Sequence, residues 1–295
     1  ETRDPRDMDE LFTGTSYVSQ VIGTAMHFYL PVSRYLNPFF GYLYDNIKRL
    51  HLFYDEVIAK RRKLEKEGVF HDDVLSAVLG ANFDTYSLMS HLVTLMITGH
   101  DTTGYFEVYT AYLLAKHPDI QKRVKAEIKQ VLNGRDTVTA EDLSNLKYLS
   151  CVLRESLRLY SIIPQVPREN RVDTELGGYK IPAGTKLIIC VANMNKVGDV
   201  WENPHEFNPD RFNNITSEQS PKHGYFPFGY GQRSCLGSTL AITEATVAFA
   251  LMLQKITFEP VDNFTPESAR FAVTLMNTNG MQLKVKFDDE NAVSN

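Results

Sequence analysis

The chain has 295 residues, 43% hydrophobic and 23% charged, with a formal net charge of −5, an ordinary globular composition long enough for one large domain or two smaller ones. That acidic balance excludes bulk nucleic-acid binding, which needs an excess of cations to displace counterions from phosphate. Cys151, Cys190 and Cys235 are too few and too irregularly spaced for a disulfide framework and suit a reducing compartment, and no run of about 20 apolar residues exists to span a bilayer.

The chain opens at Glu1 in a polar segment without methionine, so the expectation is a piece of a longer protein. Residues 8–30 read as helical. Residues 31–44, PVSRYLNPFFGYLY, are aromatic and interrupted by prolines and a glycine, a segment suited to burial or to a membrane surface. Over 45–67 the helical spacing puts Leu50, Phe53, Tyr54 and Val57 on one side. Asp84 or Thr85 can cap a helix running to Lys116, roughly 50 Å long, which His117-Pro118 stops. A second helix starts at Pro118 and ends at Asn133-Gly134. A capped short helix follows at Thr139–Asp142, then a helix from Tyr148 to Tyr160.

After Pro164 the texture changes. Glu175–Ile181 and Thr185–Ala192 are predicted strands separated by the turn Pro182-Ala183-Gly184. Ser238–Ile256 is predicted helical, and Phe271–Leu275 with Met281–Phe287 form a predicted hairpin about Asn279-Gly280. The fold class is mainly α with segregated β, an α+β arrangement, within a single domain over 1–295.

Residues 228–237, FGYGQRSCLG, carry the chemistry. Helix signals resume after Gly237, so Cys235 sits just before a helix N-terminus, where backbone N–H groups and partial positive charge favour a thiolate. Gly231 and Gly237 clear room for a large flat group, and Arg233 suits a carboxylate. The bland alternative is a cysteine acting as a small buried hydrophobe. Gly229-Tyr230-Gly231 opens like a dinucleotide fingerprint, but Ser234 stands where the third glycine belongs.

Taken together, Phe228, Gly231, Arg233, Cys235 and Gly237 match F-x-x-G-x-R-x-C-x-G and resemble the haem-binding loop of the cytochrome P450 family, the haem-thiolate monooxygenases. Other segments agree. Glu155-Ser156-Leu157-Arg158 places Glu155 and Arg158 on one helix face and is similar to the family's E-x-x-R motif. Arg211, in Asn208-Pro209-Asp210-Arg211-Phe212, is the expected third member of that network. Thr98-Gly99-His100-Asp101-Thr102-Thr103 is similar to the family's oxygen-side motif, with Thr98 where alanine or glycine is usual. Gly99 and the threonines are expected to loosen the long helix there. Read without the resemblance, the E-x-x-R pair is a surface ion pair and this segment a polar helix face.

The resemblance implies the C-terminal two thirds of a cytochrome P450 fold. It implies a long central helix over a haem with a cysteine loop beneath it, and a chain without the family's N-terminal portion and membrane anchor. It implies Cys235 as axial ligand of the iron of haem b (iron protoporphyrin IX), with Arg168 and Arg233 toward the propionates and Asp101 and Thr102 as proton relay. Leu95, Ile97, Thr98, Ile162, Ile163, Pro164, Leu275 and Met276 are implied around a small lipophilic substrate. The implied reaction inserts one atom of O2, with electrons from NADPH through a separate flavoprotein reductase or from a ferredoxin. Lys222, His223 and Arg233 are candidates for docking that partner. The likeness to microsomal eukaryotic members implies the cytosolic face of the endoplasmic reticulum membrane. Two other readings stand beside it: a haem-thiolate isomerase or dehydratase of peroxides, and an incomplete, non-catalytic fragment. A cysteine-nucleophile enzyme would need a placed histidine, which no motif supplies.

Overall fold

The structure is a computed structural model; it describes residues 38–213, 215, 224–264, 266, 274–275, 277 and 280–288, without the side chains of 38–48 and 86. The helix expected over 8–30, and Lys222, His223 and Met276, lie outside the described residues. The chain groups into two compact units, Glu1–Asp101 and Thr102–Asn295.

In the first unit, α1 spans Pro38–Lys66. It takes up the Pro-Phe-Phe-Gly stretch expected to break it, because a proline is tolerated in a helix's first turn, where its missing N–H has no partner to lose. Its apolar face, Leu50, Tyr54 and Ile58, meets Leu88, Met89 and Leu92 of the long helix that follows in a small core. Between them lies α2, Val74–Gly80, capped by Asp73. The carboxylate of Asp73 accepts the N–H of Ser76 at 2.9 Å and both guanidinium nitrogens of Arg61 at 2.7 Å. Helix α3 runs unbroken from Thr85 to Lys116. Asp84 caps it, accepting from the N–H and hydroxyl of Ser87 at 3.0 and 2.6 Å.

The second unit begins within α3, at Thr102. Helix α4, Pro118–Leu132, buries Ile120, Val124, Ile128 and Leu132 and ends where Asn133 turns left-handed at φ 48°. Helix α5, Ala140–Asn145, opens with a reciprocal capping box between Thr139 and Asp142. Helix α6, Lys147–Leu159, has no cap of its own. Glu127 of α4 supplies one, its carboxylate accepting the N–H groups of Tyr148 and Leu149 at 2.7 and 2.9 Å. Leu149, Val152, Leu153 and Leu157 of α6 join the α4 face and Ala245, Phe249 and Ala250 in one core.

The strands depart from expectation. Glu175–Ile181 is not one strand but a hairpin, β2 Thr174–Leu176 and β3 Tyr179–Ile181, turning at Gly177 and Gly178, whose φ values are 57° and 85°. That is the two-residue turn a Gly-Gly pair favours. Thr185–Ala192 narrows to β4, Lys186–Ile189, followed by the short helix α7, Val191–Met194. β4 pairs antiparallel with β1, Val166–Glu169, with Val166 opposite Ile189. Sequence passes over β1 because Pro167 weakens any strand pattern.

The expected helix 238–256 stops earlier: α8 is Ser238–Met252, and Ile256–Pro260 is instead β5. β5 pairs with β6, Leu283–Phe287. The strand expected at Met281–Phe287 therefore takes a partner other than Phe271–Leu275, whose residues 271–273 lie outside the described ones. β5 is further tied to α4 by the buried Gln121 amide, which accepts the N–H of Phe258 at 2.8 Å and donates to its carbonyl at 2.9 Å. No helix among the described residues is long and apolar enough to cross a membrane.

Candidate functional site

The cysteine loop lies between the aromatic cluster Trp201, Phe212, Tyr225 and α8. Tyr225 anchors its start, its hydroxyl donating to the Arg154 carbonyl at 3.0 Å; burial pushes that phenol well above its usual range. Phe228 packs against the core of the second unit. From there the backbone curls back: Gly229 N–H donates to Phe226 at 3.1 Å, Ser234 N–H to Gly231 at 3.1 Å, and Cys235 N–H to Phe228 at 2.7 Å. Both Gly229 and Gly231 sit at φ 72°, a left-handed backbone costly for any residue with a Cβ. A Cβ at Gly231 or Gly237 would meet nothing within 4 Å, so the space beside the loop is open.

Gly237 is the N-cap of α8. The thiol of Cys235 is exposed, which rules out the small-buried-hydrophobe reading. Leu236 is 94%, Tyr230 70% and Leu240 64% exposed around it. Large apolar side chains left uncovered in a group mark a surface built to be covered. Arg233, on the 3-10 turn Gly231–Arg233, and Arg168, on β1, are both exposed. Among the described residues neither pairs with a carboxylate.

Behind the loop lies the E-x-x-R network. Glu155 and Arg158 are both 0% exposed. Glu155 Oε2 accepts from Arg158 Nε at 2.6 Å, and Oε1 from Arg158 Nη2 at 2.8 Å. Oε1 also accepts from Arg211 Nε at 3.0 Å and the Asn208 N–H at 2.9 Å. Arg158 spends its remaining protons on carbonyls: Asn195 at 2.8 Å, Pro204 at 2.7 Å and Glu206 at 3.0 Å. All the guanidinium N–H donors of a buried arginine thus find acceptors, and its face lies 5.3 Å from the Trp201 ring centre. Arg211, 12% exposed, donates in turn to the Glu202 carbonyl at 2.9 Å. The carbonyl acceptors were not foreseeable, because every residue has one and no side chain announces which will be used.

The helix segment Thr98–Thr103 is continuous α-helix, without the opening that glycine and threonines suggest. Thr98 bonds back along it, its hydroxyl donating to the Thr94 carbonyl at 2.7 Å. Asp101 meets His100 Nδ1 at 3.0 Å, and Thr102 is half-buried. Of the residues expected near substrate, Leu95 and Thr98 are exposed on the first unit's part of α3, while Ile162 is buried in the second unit's core. Ile163 and Leu275 are half-buried, and the Leu275 N–H donates to the Ile162 carbonyl at 2.7 Å.

These parts define a class: a mainly helical protein with small segregated ladders, offering one exposed sulfur on a glycine-bent loop braced by a buried Glu–Arg network. A family model described as Cytochrome P450 matches residues 2–285, and the chain belongs to that family. It is 33% identical over 224 residues to a cyclooctat-9-en-7-ol 5-monooxygenase of Streptomyces melanosporofaciens, covering 74% of this chain and 48% of that protein. It is 33% identical over 248 residues to a chloroplastic carotene epsilon-monooxygenase of Arabidopsis thaliana, covering 78% and 46%. It is 32% identical over 262 residues to cytochrome P450 4V2 of Mus musculus, covering 81% and 50%. The chain spans about half the length of the curated relatives it matches. Bacterial and chloroplastic proteins among them mean that these matches do not single out the microsomal type.

Proposed function

We propose that the protein holds a haem through Cys235 and serves as a monooxygenase that hydroxylates a lipophilic substrate with electrons from a separate reductase. The observation that carries this reading is the exposed Cys235 thiol on a loop whose glycines leave open space beside it and whose flanking Leu236, Tyr230 and Leu240 lie uncovered. These residues fit a flat apolar group with an anionic rim: the sulfur would hold the iron, the apolar side chains would bed the group, and Arg233 and Arg168 would be cations for the propionates. When bound, the haem would supply oxygen activation, with its reactivity tuned by the thiolate of Cys235.

The chain's own contribution is positioning and proton handling. The Cys235 N–H, already donated to Phe228, fixes the sulfur's backbone against the rigid Phe228 anchor. The Asp101 carboxylate, hydrogen-bonded to His100 Nδ1, holds a proton-transfer position, and the Thr102 hydroxyl both accepts and donates. The lipophilic substrate class draws support from apolar Leu95, Ile163 and Leu275, and from relatives named for carotene and cyclooctat-9-en-7-ol. Its NADPH-linked reductase or ferredoxin partner, and residence of the full-length protein on the endoplasmic reticulum membrane, are proposals resting on the resemblance to microsomal members. Cell fractionation tests the latter.

The decisive test is the reduced carbon-monoxide difference spectrum of the haem-loaded chain. The expected result is the red-shifted Soret band of a thiolate-ligated haem, lost in Cys235→Ser. An unshifted band in the parent protein overturns the assignment. Turnover that needs NADPH and reductase separates a monooxygenase from a peroxide isomerase or dehydratase.

A further inference from the structure

On the second unit, away from the cysteine loop, a cleft of about 320 Å³ opens between the C-terminal ends of α3 and α6 and the segments after α7. Lys196, His117, His205, Tyr160 and Glu206 line it. Among the described residues no carboxylate pairs with Lys196, although its ammonium is half-buried. Burial, and then the nearby Arg158 cation, push that ammonium below its usual range. An ammonium held partly out of water beside a second cation, with no carboxylate partner among the described residues, is an arrangement that an anion relieves. Burial likewise depresses His117, whose ring packs on Phe207 at 5.1 Å between centres, and His117 and His205 line the same space.

We propose that this cleft is a binding site for a small oxyanion, a phosphate or carboxylate group, held by Lys196 with the imidazoles of His117 and His205. Its position gives it a consequence. Lys196 follows Asn195, and His205 and Glu206 follow Pro204. Arg158 grips these two segments through the carbonyls of Asn195, Pro204 and Glu206. An anion bridging Lys196 to His205 ties together the segments that cage Arg158, so the ligand stabilises the E-x-x-R network from outside. Glu206 is the one acidic residue in the lining and opposes the anion.

The inference does not depend on haem binding, and thermal unfolding of the full chain, with and without haem, tests it. Inorganic phosphate and citrate, titrated against sodium chloride at matched ionic strength, are expected to raise the melting temperature saturably where chloride does not. Preference between the two separates a phosphate from a carboxylate ligand. Lys196→Met is expected to weaken the apparent affinity about tenfold, the loss of one charge-assisted hydrogen bond, and Lys196→Arg to retain it. Glu206→Gln is expected to tighten binding, and Lys255→Met, on an exposed lysine paired with Asp136, to change nothing. A melting shift equal in Lys196→Met and the parent, or reproduced by chloride, overturns the proposal. If Lys196→Met does not fold, an affinity unchanged in Glu206→Gln overturns it instead.

Discussion

Glu155 is the residue on which most depends, because one buried carboxylate answers two guanidinium groups and a backbone N–H. Removing it leaves Arg158, fully buried, without its counter-charge. Glu155→Ala is expected to destabilise by about 3–5 kcal/mol, the cost of breaking a buried ion pair by one partner, read as a lower urea midpoint at unchanged slope. Arg158→Lys should fare little better, since a single ammonium cannot reach Glu155 and the three carbonyls that the planar fork serves. Cys235 behaves in the opposite way. Its side chain is exposed and its structural bond is made by the backbone, so Cys235→Ala should shift haem-free stability by no more than about 0.5 kcal/mol while abolishing the proposed thiolate ligation. That contrast, if measured, separates the proposed ligand from a residue that holds the fold. Both motifs were legible in the sequence through their resemblance to the family's, since i,i+3 spacing alone reads as a surface ion pair and a lone cysteine as a small hydrophobe. The carbonyls of Asn195, Pro204 and Glu206 were not.

Among the elements, helix ends carry much of the specification. The Thr139–Asp142 box is visible in sequence because its partners are three apart, and Thr139→Ala should cost about 1 kcal/mol. Arg135, hydrogen-bonded to Asp142 at 2.7 and 3.0 Å, holds that carboxyl well below its usual range, helped by the Thr139 N–H. Arg61 and the Ser76 N–H do the same for Asp73 at the start of α2. A depressed folded value means that this stability is complete above the unfolded carboxyl range, about pH 4, and is lost as pH falls through the depressed values. Acid titration followed by circular dichroism should show the loss beginning below about pH 4, and in Arg135→Ala the part due to Asp142 should shrink to what the Thr139 N–H and hydroxyl still supply. The cap of α6 lies beyond local reading, because Glu127 comes from another helix. Glu127→Ala orphans the N–H groups of Tyr148 and Leu149 and should cost about 1–3 kcal/mol, more than Thr139→Ala.

For the molecule as a whole, the buried phenols set the alkaline limit. Burial pushes Tyr54 of the first unit and Tyr109 and Tyr148 of the second up to about 12. Because the folded values are raised, the stability they contribute is complete below about pH 10, the unfolded phenol value, and drains away as pH rises from there toward 12. Absorbance of phenolate and loss of helical dichroism should therefore rise together above about pH 10. Exposed phenols such as Tyr179 and Tyr230 titrate without unfolding, so the test is a second, later fraction of phenolate that appears only with the loss of dichroism; a single early phenolate transition completed before unfolding would contradict the burial.

By itself the sequence determined the long helix after Asp84, the helix from Pro118, the Thr139–Asp142 box and the run from Tyr148, because each rests on residues a few positions apart, and its cysteine-loop motif carried the resemblance to the family. Only the tertiary structure decided which strands pair, that Ile256–Pro260 leaves a helical run to join Leu283–Phe287, that Gln121 imitates a strand neighbour, and that Lys196 overlooks a cleft beside Arg158. Those arrangements join residues tens of positions apart. They use backbone groups common to every residue, so only the folded chain brings the partners together.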